Sequence, residues 1–187
     1  PADILEELQP GEIPSKMAER LSLEKAQAVA AWFQHGFVIA ADSVVVHQGR
    51  PYGKPIDADD ARRMLRELRG TSHQVVTGIT VMNVEDGRVL TDSMASDVTI
   101  RDFTDDEMDI SIATGTPMDK AGAYAGQDED FRPAQSWEGC YTNIIGLPLC
   151  RLSQMLAELG FDGTLGHPDV DSPVCGPTCP LRPEVTP

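Results

Sequence analysis

The chain has 187 residues, 41% of them hydrophobic, and a formal charge of −15 from 30 acidic and 15 basic side chains. This length buries one substantial core, while the charge repels a phosphate backbone over any broad surface, which excludes duplex nucleic acid but not a small phosphorylated ligand in a locally positive pocket. Apolar runs such as residues 37–41 and 144–149 fall far short of the roughly 20 residues of a membrane span, and four cysteines at 140, 150, 175 and 179 are too few and too uneven for a secreted disulfide framework, so a soluble cytoplasmic protein is expected.

Met17, Leu21, Ala28, Val29 and Phe33 recur at helical spacing and predict a helix over residues 15–33. A β-branched run follows, Phe37-Val38-Ile39-Ala40-Ala41 and then Val44-Val45-Val46, with polar Asp42 interrupting what otherwise reads as a buried strand. Asp57 is placed to cap a second helix whose apolar face is Ala61, Met64, Leu65 and Leu68 and whose end is marked by Gly70. Strands over 74–82 and 89–101, joined by Asn83-Val84-Glu85-Asp86-Gly87, read as an antiparallel pair. Thr104 precedes a helix with Asp105, Asp106 and Glu107 in its first turn, acids that suit the positive end of a helix better than a metal site. Leu149, Leu152, Met155, Leu156 and Leu159 mark a last helix ending at Gly160. Beyond Phe161 the composition turns to Pro, Gly, Asp, Ser and Thr, which predicts one folded domain over residues 1–163 and a disordered tail over 164–187.

The residues able to do chemistry are few. Asp42 is a carboxylate in an apolar strand; it must bind a cation, accept hydrogen bonds or titrate abnormally, or else be satisfied by backbone amides at a strand end. In Gly53-Lys54-Pro55 a lysine is held on a rigid loop, as a phosphate ligand or as an ordinary solvated side chain. Lys25 carries the same alternatives on a helix. Residues 119–127, rich in small side chains, allow close backbone approach and could wall a pocket. No serine sits in a nucleophile elbow, and His35, His47 and His73, without zinc-ligand spacing, read as surface or strand residues.

Taken together, Ala40-Ala41-Asp42-Ser43-Val44-Val45, Gly53-Lys54-Pro55, Ala61-Arg62-Arg63-Met64-Leu65, His73-Gln74-Val75-Val76-Thr77-Gly78, Pro117-Met118-Asp119-Lys120-Ala121-Gly122-Ala123-Tyr124 and Asn143-Ile144-Ile145-Gly146-Leu147-Pro148-Leu149 resemble, in order and spacing, the Maf nucleoside triphosphate pyrophosphatases over roughly residues 3–160. The resemblance implies an α/β fold related to the inosine triphosphate pyrophosphatases, an elongated, two-lobed mixed sheet flanked by helices with a nucleotide cleft between the lobes. It implies a divalent metal, Mg²⁺ or Mn²⁺, and a homodimer. By position, Asp42 corresponds to the family's metal-binding acid and general base, Lys25 and Lys54 to phosphate-contacting lysines, Glu6 to a second metal-side acid, and Gln127 to a pocket glutamine of the branch that prefers dTTP and UTP. A non-catalytic nucleotide-binding or division-linked regulator is the competing reading. The family's opening Ser-x-Ser-Pro-Arg-Arg loop has no counterpart in the sequence, so the chain as it stands is expected to bind nucleotide weakly, hydrolyse it slowly and leave a sheet edge unpaired. Asp128-Glu129-Asp130-Phe131 replaces a glycine-rich stretch of the family, and His167, Cys175 and Cys179 are read as part of the disordered tail rather than as metal ligands.

Overall fold

The computed structural model describes residues 8–163; Glu6, His167, Cys175, Cys179 and the expected tail lie outside them. In chain order the elements are helix α1 (Pro14–Ala30), strands β1 (Phe37–His47) and β2 (Arg50–Tyr52), α2 (Ala58–Leu68), β3 (Ser72–Asn83), β4 (Val89–Ile100), α3 (Asp105–Ala113), two 3-10 turns (Thr116–Asp119 and Ala121–Ala123), β5 (Ala134–Glu138), α4 (Tyr141–Ile144) and α5 (Leu149–Glu158). The strands form one sheet in the order β2-β1-β3-β4-β5. The α/β class expected from the sequence is the one adopted. Where a mixed sheet was expected, every pairing among the described residues is antiparallel; the tight turn after Asn83 allows β3 and β4 no other arrangement. No helix among the described residues is long and apolar enough to cross a membrane.

Side chains alternate across a strand, so the register of β1 on β3 puts Asp42, Val44, Val76 and Gly78 on one face and Ser43, Val45, Val75, Thr77 and Ile79 on the other. The first face is covered by α1, whose Met17, Ala18 and Leu21 pack on Val44 and Val76; each such large side chain contributes about 1.5–3 kcal/mol on burial. Ser22 adds a buried hydroxyl contact to Thr80 at 2.8 Å. The helix stops at Ala30, so only the first half of the predicted stripe is buried; Phe33 lies beyond the helix and is 55% exposed.

The second face carries two separate apolar clusters. One gathers Val45, Val75 and Val98 of the sheet with Ala61, Met64, Leu65 and Leu68 of α2 and Met108 and Ile112 of α3. The other gathers Ile79 and Val81 with Leu152, Met155 and Leu156 of α5. Both α2 and α3 begin as their sequences prescribe: Asp57 accepts from the Asp60 amide, and Thr104 and Glu107 form a reciprocal capping box. The acidic first turn of α3 is spent on ion pairs, Asp105 with Arg66 and Arg69 and Glu107 with Arg101. The Arg101 hydrogen bond, aided by the Thr104 amide, holds Glu107 down to about 2.

Candidate active site

Asp42 does not interrupt its strand; β1 runs unbroken through it. Since β2 pairs only with Val45–His47, the outer edge of β1 from Phe37 to Val44 meets no strand among the described residues; Asp42 lies in this stretch, with its side chain on the α1 face of the sheet. Directly across the ladder stands Gly78. A Cβ there would lie 2.1 Å from the carbonyl oxygen of Ala18, so only glycine lets α1 lie this close to the sheet. Two helical turns further along α1 is Lys25, whose ammonium pairs with the Asp42 carboxylate; the two side chains are 28% and 10% exposed. The glycine thus sets the distance between helix and sheet that the ion pair requires.

A cleft of about 280 Å³ opens beside this pair, lined by Lys25, Asp42, Lys54, Lys120, Tyr124 and Gln127 among others. Lys54 follows β2 and makes no ion pair among the described residues. Its loop is fastened to the opposite wall by the Gly122 amide, which donates to the Gly53 carbonyl at 3.0 Å. Lys120 donates to Asp119 at 3.0 Å; that hydrogen bond, with the nearby Lys54 charge, lowers the Asp119 carboxyl. A third wall, residues 144–146, is pinned from behind: Thr77 donates to the Asn143 carbonyl at 3.0 Å, and the Asn143 amide donates to Val75 O and Ser96 Oγ, each at 3.0 Å. Because the single Thr77 proton goes to Asn143, the 2.8 Å contact between Ser43 and Thr77 has Ser43 as donor.

The structure therefore brings Lys25, Asp42, Lys54 and Gln127 to one cleft, while Glu6 is outside the described residues. Sequence reasoning placed Lys120 and Tyr124 in a stretch that could wall a pocket, without a chemical role for either, and quoted Gly78 and Asn143 within motifs only. One signal was available: the sequence has four lysines, Lys16, Lys25, Lys54 and Lys120, and the last three line this cleft with no arginine among its lining residues. Among the described residues no three His, Cys, Asp or Glu side chains cluster to hold a metal alone. The donor set nevertheless suits Mg²⁺, which takes one or two protein carboxylates and completes its shell with phosphate oxygens and water.

The family model for Maf-like proteins matches residues 1–159. The chain belongs to that family. Among curated relatives, the dTTP/UTP pyrophosphatase of Syntrophomonas wolfei subsp. wolfei is 42% identical over 160 residues, covering 86% of this chain and 85% of the relative. That of Geobacter sulfurreducens is 43% identical over 159 residues, covering 85% and 83%, and that of Thermomicrobium roseum 42% identical over 174 residues, covering 92% and 78%. The Maf-like match spans every residue that lines the cleft.

Proposed function

We propose that the chain is a nucleoside triphosphate pyrophosphatase that hydrolyses dTTP and UTP between the α- and β-phosphates, adding water to give the nucleoside monophosphate and pyrophosphate. The observation that carries this reading is the concentration of three of four lysines in one cleft of a chain with a charge of −15. Lys25 and Lys120 are paired there with Asp42 and Asp119, while Lys54 makes no ion pair among the described residues, which leaves the cleft an excess of positive charge suited to a phosphorylated ligand. The relatives, dTTP/UTP pyrophosphatases, agree with it.

In this reading Lys54 and Lys120 neutralise the polyphosphate as compact point charges, and preorganised positive charge where the leaving pyrophosphate gains negative charge lowers the barrier. Asp42 accepts the proton of the attacking water, and Lys25 holds its carboxylate in place. Gln127, with both a donor and an acceptor, reads the pyrimidine edge. A divalent cation held by Asp42 and the substrate's phosphates, with Glu6 as the second acid, would supply further charge neutralisation on the phosphate oxygens. The test is product analysis: with Mg²⁺, dTTP and UTP should yield monophosphate and pyrophosphate in equal amounts, faster than dATP or dGTP. Release of orthophosphate and a nucleoside diphosphate would contradict the proposal.

A further inference from the structure

Behind the cleft, His73 of β3 and Tyr124 form a pair that this chemistry leaves unused. They are 3% and 6% exposed, His73 Nε2 and the Tyr124 hydroxyl are 2.6 Å apart, and the rings meet edge-on with centroids at 5.4 Å. His73 Nδ1 has no partner among the described residues, so this is the one hydrogen bond the ring makes there. Burial, with a smaller push from the charge of His47, pulls His73 down to about 4, and burial raises Tyr124. Both are neutral at neutral pH, so the contact joins two uncharged rings rather than an ion pair.

What it fastens matters. Tyr124 lines the cleft and is followed at once by Ala125, Gly126 and Gln127, which line it too. This stretch has no strand or α-helix of its own; it leaves the short turn Ala121–Ala123, where Gly122 and Ala123 both take left-handed φ values, 70° and 60°. A Cβ on Gly122 would press within 3.2 Å of Val45. Ala123 and Tyr124 pack into the core, and among the described residues two long-range hydrogen bonds tie the stretch down, Gly122 to Gly53 and Tyr124 to His73. The second alone reaches a central strand of the sheet.

We infer that His73 is a positioning residue for base recognition: through Tyr124 it lends the rigidity of β3 to residues 124–127 and so fixes where Gln127 meets the nucleobase. The inference rests on the nucleotide reading above. A side chain on an irregular segment recognises a ligand sharply only if something behind it is held, and the buried hydroxyl–imidazole bond is placed to do that.

The experiment measures amide hydrogen exchange in the unliganded full chain, and Mg²⁺-dependent binding of the α,β-imido analogues of dUTP and dGTP, for wild type, Tyr124→Phe, His73→Leu and His73→Gln. Tyr124→Phe and His73→Leu are expected to raise exchange over residues 121–127 by about tenfold, with residues 14–30 and 37–47 unchanged, and to lower the dUTP-to-dGTP affinity ratio by a similar factor. His73→Gln, whose amide reaches the position of Nε2, should restore both. Unchanged exchange over 121–127, an even loosening of the whole sheet in Tyr124→Phe, or an unchanged affinity ratio would overturn the inference. A wild type that binds neither analogue even at millimolar concentration, with the expected exchange pattern intact, would overturn the nucleotide reading and uphold His73 as the residue that holds the wall.

Discussion

Asp42 and Lys25 reach the cleft from a strand and a helix locked together by sheet register and by the bare backbone of Gly78, whereas Lys120, Tyr124 and Gln127 reach it from a segment with only single 3-10 turns. In the proposed function, the first wall carries the carboxylate that activates water and the lysine that holds it, needed for every nucleoside triphosphate; the second carries Gln127 for the base, which differs between them, beside Lys120 for the phosphates. Rigid elements give precision at the reacting centre, and an irregular segment can change its contacts without disturbing the sheet. The second wall is held by the packing of Ala123 and Tyr124 in the core, by the Gly122–Gly53 hydrogen bond and by the buried hydrogen bond from Tyr124 to β3.

Breaking the sheet-borne wall should have the largest effect. Gly78→Ala puts a methyl group against the Ala18 carbonyl, forces α1 off the sheet and should destabilise the chain by about 3 kcal/mol or more, measured by denaturant unfolding; a loss within about 0.5 kcal/mol would mean the close approach is not needed. The loop-borne wall should show itself in pH. His73 titrates at about 4 when folded against the ordinary 6.5, so between those values the unfolded chain binds a proton that the folded chain refuses. Stability falls as pH drops from about 6.5 towards 4, by up to about 3 kcal/mol from this group, and is untouched by it above 6.5. In unfolding curves His73→Gln should lack that increment, and an identical pH dependence in the variant would count against the buried neutral ring.

Smaller effects should sharpen the division between the walls. Lys54→Ala removes one charge-assisted contact and should lower kcat/KM for all triphosphates alike by about 30-fold, or about 2 kcal/mol. Gln127→Ala should lower the preference for dTTP over dGTP by about tenfold while leaving kcat for dTTP near wild type, the size expected when both hydrogen bonds of its amide are lost. Steady-state kinetics on both substrates checks the pair, and a base-dependent loss in Lys54→Ala would blur the division.

Much of this was legible in the sequence because it is local. Asp57 with Gly70, and Thr104 with Glu107, bound helices by short-range capping, and the turn after Asn83 sets the antiparallel pair. Asp42 stood out as a carboxylate among β-branched residues. Continuity of β1 through Asp42 was not legible, since it rests on an unbroken ladder with β3 and on Lys25 arriving from α1 to pair with the carboxylate. Nor was β5, an edge strand whose residues 135–138 are all exposed and show no alternation. His73 read as a surface or strand histidine; it is a strand residue, but it is buried, with its hydrogen-bond partner, Tyr124, 51 positions away. The second half of the α1 stripe misled because periodicity records which residues share a side, not whether anything covers them; Trp32, just beyond the helix, is 83% exposed.

The central claim is that hydrolysis depends on the carboxylate held by Lys25 at the open edge of β1. Asp42→Asn keeps the size of that side chain and removes its charge. Measured with Mg²⁺ on dTTP and UTP, in protein whose thermal unfolding confirms that it is folded, the variant should release pyrophosphate about a thousandfold more slowly than wild type. Pyrophosphate release at the wild-type rate from folded Asp42→Asn would contradict the account.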